Sequence, residues 1–189
     1  MNFKAMKTTY DVTLTRLDTK LDSLVQSLSG LTHQQLNARP EPGAWSVLQV
    51  MQHLLITEKM SVSYVRKKMS KPQALQSAGL KNRLRSFGLK IFLALPFKFK
   101  APAIVSDSNF PAEADFNIII EDWRRVRSDL AEVLSSVRPA WQDKELFKHA
   151  LVGKMTLDGM LSFFENHFDR HLGQIEKTVK KVAVFTQRQ

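Results

Sequence analysis

Four stretches of this chain carry apolar residues at steps of three and four, and that spacing constrains the fold more than anything else. One face of an α-helix repeats every 3.6 residues, so such stretches read as amphipathic helices. The first spans 5–29, with Val12, Leu14, Leu17, Leu21, Leu24, Val25 and Leu28 on its stripe and Gly30 as its stop. The second spans 46–70, with Ser46 as N-cap and Val47, Val50, Met51, Leu54, Leu55, Met60, Val62 and Val65 inside. The third spans 112–137, opening on "PAEADF" and carrying Trp123, Val126, Leu130, Val133, Leu134 and Val137 before Pro139. The fourth starts near Thr156, with Asp158 in its first turn and Leu157, Met160, Leu161, Phe164, His167, Phe168, His171 and Ile175 in line.

Between these, "LTHQQLNARPEPGAWS" reads as a connecting loop, and "DKELFKHALVGKMT" as a loop with a short extended piece. Residues 71–110 are irregular, with one short amphipathic helix expected around 80–95 and closed by Pro96. Seven glycines and seven prolines in 189 residues are few for an all-β chain. The expectation is an all-α, four-helix up-and-down bundle with a long crossover between helices 2 and 3, as one domain over 1–189.

Cysteine is absent. Disulfides, thiolate metal sites and cysteine nucleophiles are therefore excluded, and any metal site must use nitrogen and oxygen ligands. The N-terminal residues hold no apolar core of a signal peptide, and no apolar run is long enough to span a membrane, so a cytoplasmic protein is expected.

The net charge of +10 is concentrated in one region. Residues 59–106 contain no Asp or Glu and hold Lys59, Arg66, Lys67, Lys68, Lys71, Lys81, Arg83, Arg85, Lys90, Lys98 and Lys100. A packed crossover with solvated lysines is the plain explanation. A membrane surface or a subunit interface are its rivals. Nucleic acid is disfavoured as a partner, because no recognition motif accompanies the charge.

Of five histidines, His167 and His171 stand four apart on the fourth helix. Residues i and i+4 share a helix face with Cβ atoms about 6 Å apart, so two imidazoles can aim at one point. Spacing alone is weak evidence, since two polar residues at a bundle rim give the same string. His53, within the second helix, adds a third candidate. Three ligands from two helices would leave coordination positions open, as catalytic sites do. Gln49, one turn before His53, and Gln174, three residues after His171, could bond a ligand histidine or a substrate, or be ordinary polar helix residues. Glu58 lies about 140° around the helix from His53, which suits a solvated or salt-bridged role. Glu165 and Asp169 fall off the histidine face. Trp45 reads as a packing anchor at the helix entry. His33 and His149 read as surface loop histidines.

The segment "PGAWSVLQVMQHLLITE" (42–58), the lead-in "HALVGKMTLDGMLSFF" (149–164) and "HFDRHLGQIEK" (167–177) together resemble the DinB/YfiT-like superfamily. The resemblance covers essentially the whole chain. It implies a metal triad at His53, His167 and His171 holding a divalent ion, nickel or zinc. Characterised relatives include S-transferases that use a low-molecular-weight thiol, and others are described as metal-dependent hydrolases. A small-molecule substrate and a homodimer are the partners the resemblance implies. The competing expectation is a non-catalytic bundle that sequesters a metal or ligand, or that presents the basic crossover to a partner.

Overall fold

The computed structural model describes residues 3–71, 75–79, 88, 111 and 113–186. The expected short helix at 80–95 lies outside the described residues apart from residue 88, as does most of the basic crossover. Four long helices are present: α1 (Phe3–Leu28), α3 (Val47–Met69), α4 (Phe116–Ser135) and α5 (Leu157–Thr186). A one-turn helix, α2 (His33–Asn37), a short 3-10 turn at Pro139–Trp141 and a two-stranded antiparallel hairpin, β1 (Phe147–His149) with β2 (Gly153–Met155), complete the described fold. The chain is all-α in class, as its periodicity predicts.

The helix ends follow local chemistry. Ser46 caps α3, its hydroxyl accepting from Gln49 N while Gln49 Oε1 accepts from Ser46 N. Thr156 caps α5 through a bond from Gly159 N to its hydroxyl. Two expectations need correction. The stretch read as a loop after α1 contains α2, because Thr32 and Gln35 form a second capping box there. The third long helix begins at Phe116 instead of 112, because the Asp115 carboxylate accepts from Asn117 N and Ile118 N and sets the start.

Ion pairs fix the helix directions. Arg16 pairs with Glu165 and, one turn on, Lys20 with Asp169, so α1 and α5 run parallel. Asp18 pairs with Arg127 and Asp22 with Arg124, so α1 and α4 run antiparallel. Glu58 meets Arg127 while Arg66 meets Asp129 and Glu132, so α3 and α4 run parallel. α3 and α5 are therefore antiparallel. The long crossover returns the chain along the bundle, which is why α3 and α4 share a direction. Each of α1 and α3 packs against both α4 and α5.

The core is built from the predicted stripes, with Trp123, Leu17, Leu48, Met51, Phe164 and Phe168 fully enclosed. Val12 and Met60 depart from expectation and lie exposed. The hairpin packs on both α3 and α5. The start of the crossover is tied beside the hairpin by bonds from Ala78 N to Asp143 O and from Glu145 N to Gln76 O. Among the described residues no helix is long and apolar enough to cross a membrane.

Candidate metal centre

His53 stands in the second turn of α3, and His167 and His171 stand one turn apart midway along α5. The antiparallel contact of these helices brings the three rings together. His53 Nε2 lies 3.2 Å from His167 Nε2, and His171 Nε2 lies 3.1 Å from His167 Nε2. The three residues can each offer one ligand nitrogen within a span of 4.8 Å. His53 and His167 are buried, and His171 is half-buried. The more accessible side of the cluster is therefore the His171 side.

Proton counting shows what this arrangement favours. A neutral imidazole carries one N–H and one lone pair. Gln174 Oε1 lies 2.9 Å from His171 Nδ1, so the proton of His171 sits on Nδ1 and its Nε2 is bare. His167 Nε2 faces both of the other Nε2 atoms. A single N–H there cannot satisfy two lone pairs equally, so the centre of the cluster is electron-rich. Adding a proton is no remedy. Burial, and then the positive charges His171 and His53 would carry, holds His167 well below the ordinary histidine range. Burial, then His53, lowers His171 to about 3. The donor set fits a divalent transition ion: three neutral nitrogens suit zinc or nickel, and among the described residues no carboxylate joins them.

The flanking residues divide by role. Gln174 bonds His171, one of the three alternatives its position leaves open. Gln49 Oε1 is spent on the helix cap, and no bond links it to a histidine among the described residues. Trp45 packs half-buried against the core, with its ring centroid 5.1 Å from that of His53. Glu165 and Asp169 point to α1, off the histidine face, as predicted. His33 is exposed, on α2.

Two residues are placed where sequence reasoning did not put them. Glu58 is salt-bridged, one of its two expected roles, but the pair is buried. Its Oε2 accepts from Arg127 Nε at 2.6 Å and from Trp123 Nε1 at 3.1 Å, and its Oε1 accepts from Arg127 Nη2 at 2.8 Å. His149 is not a plain surface histidine. It is half-buried, with its ring centroid 4.5 Å from that of Phe163, and burial lowers it to about 4. The sequence signal for it was the apolar run of α5 itself, since Phe163 lies one turn before His167 and needs a covering group.

No curated protein and no solved structure matches the chain. A family model described as the DinB superfamily matches residues 16–175, which runs from within α1 to within α5, takes in α3 and α4 whole and includes the three histidines. The chain belongs to the DinB superfamily.

Proposed function

We propose that His53, His167 and His171 hold a divalent nickel or zinc ion, and that the protein is a metal-dependent enzyme acting on a small molecule. The observation that carries this is the convergence of three Nε2 atoms from two helices on an electron-rich point, with His171 held by Gln174 in the tautomer a ligand needs. An ion bound by three neutral ligands keeps its full charge and acidifies a water or thiol bound to it.

The chain's own residues limit the chemistry. It has no cysteine, so a sulfur nucleophile must arrive with a thiol cofactor or a substrate. The reaction classes that fit are thiol transfer to an electrophilic carbon and hydrolysis, the two that the resemblance implies. A reacting molecule would approach from the His171 side, the more accessible one.

Metal analysis of protein grown with nickel or zinc tests the site. Wild type is expected to carry about one equivalent (one site, three ligands), and His53→Ala and His171→Ala to carry little. Equally low metal in all three would remove the proposal. With metal present, a panel of electrophiles offered with low-molecular-weight thiols, beside a panel of esters and amides, separates transfer from hydrolysis.

A further inference from the structure

The three candidate ligands are not held alike. Gln174 orients His171 by a hydrogen bond. His167 instead has a ring stacked on it: Phe163 lies at 4.9 Å between centroids and 22° between planes. Phe163 is in turn layered on Phe147 of β1 at 6.2 Å and 19°. The edge of this stack is closed by His149, whose ring meets Phe163 at 4.5 Å and 77°. The hairpin thus reaches His167 through one intermediary ring.

His149 is itself fixed. Its Nδ1 accepts from Leu151 N at 3.2 Å and from Val152 N at 3.4 Å, which ties the ring to the hairpin turn. Those bonds leave the proton on Nε2. The turn closes at Gly153, whose φ of 84° suits glycine and lets the chain double back into β2. The ring is therefore held at both its nitrogen and its edge, and a ring so held confines whatever it packs against.

We propose that His149 is a positioning residue of the metal centre, setting the His167 ring orientation through edge contact with Phe163. The proposal rests on the reading of the three histidines as a metal site. It adds a fourth histidine that never touches the ion. Residues that orient ligands in this indirect way change metal affinity by about 10–100-fold when altered.

Two substitutions separate the two halves of His149. His149→Asn keeps an acceptor near the Nδ1 position and removes the ring. His149→Phe keeps the ring and removes the acceptor. Cobalt(II) titration, followed by its visible spectrum, is expected to give His149→Asn an affinity about 10–100-fold below wild type with altered bands. His149→Phe is expected to lose clearly less in both, since it keeps the ring contact and gives up only the tie to the hairpin turn. Phe163→Leu breaks the same relay, so it carries the prediction should His149→Asn not fold. The double variant His149→Asn/Phe163→Leu is expected to be no worse than the weaker single, because both act through one contact.

Histidine-ring NMR of the metal-free protein supplies a readout independent of loading. The His167 ring signals are expected to move in His149→Asn and to move less in His149→Phe. Wild-type affinity and unmoved His167 signals in His149→Asn would overturn the proposal, and so would a loss in His149→Phe as large as in His149→Asn. If wild type takes up no cobalt, the metal reading falls by itself, and the NMR comparison still decides whether His149 governs His167.

Discussion

Helix α3 carries two buried polar clusters five residues apart, and they are opposite in kind. Glu58 faces α4, where Arg127 and Trp123 meet its carboxylate with three hydrogen bonds. Charge cancels charge, and both carboxylate oxygens are occupied. His53 faces α5, where its Nε2 lies 3.2 Å from that of His167, itself 3.1 Å from that of His171. Among the described residues no carboxylate joins the three rings as a candidate ligand. The first cluster is complete within the protein. The second is one that a bound cation would complete. Burial by itself therefore does not mark a functional site; an unfinished polar inventory does.

The largest effect that would break this contrast concerns the finished cluster. Glu58→Ala is expected to destabilise the fold by about 3–5 kcal/mol, since it leaves a buried guanidinium with only its long contact to the exposed Asp18. The paired change Glu58→Leu/Arg127→Met is expected to recover most of that loss, because no buried charge is left unpaired. His53→Ala should cost well under the single Glu58 change while abolishing metal uptake. Urea denaturation of the four proteins orders them. An Ala at 53 as damaging as one at 58 would erase the distinction between the clusters.

A smaller effect sharpens the unfinished one. Gln174→Leu frees the His171 tautomer, and metal affinity is expected to fall about 10–100-fold by competition with a chelating indicator. Thermal stability without metal should change little. An unchanged affinity would reduce Gln174 to an ordinary helix residue.

The smallest concerns pH. His149 is lowered to about 4 by burial, against 6.5 for the ordinary group. The unfolded chain takes up a proton in that window that the folded chain refuses. The stability His149 contributes is therefore complete above about pH 6.5 and is lost as pH falls toward 4. His149→Phe is expected to flatten the melting temperature between those limits, at about 2–4 °C per kcal/mol for a chain of this size. Some slope remains, since His167 and His171 are lowered too. The slope is the measure here, because the variant also loses its tie to the hairpin turn.

What the sequence disclosed followed from local rules. The stripes of α1, α3, α4 and α5, the Ser46 and Thr156 caps, and the shared face of His167 and His171 all depend on residues within a turn of one another. The Thr32–Gln35 capping box of α2 was equally local, but the prolines and glycine after it made the whole stretch read as loop. What stayed hidden depends on residues far apart in the chain. Arg127 reaches Glu58 across 69 positions, and no periodicity announces that pair. His149 seemed exposed because only two residues of β1 precede it, and the wall it leans on is formed by a different helix. The three histidines were legible as candidates because two share a helix face and because the segments around them resemble a family. Their meeting point could come only from the antiparallel contact of α3 with α5.

That contact has a mechanical meaning. His53 and His167 are 114 positions apart, and a single ion shared between them would fasten the two ends of most of the chain. A covalent bridge closing a loop of about 100 residues removes roughly 4.7 kcal/mol of freedom from the unfolded chain. This protein has no cysteine with which to make one. An ion seated among the histidines would act as a reversible cross-link, so chelation would loosen the whole bundle as well as empty a pocket.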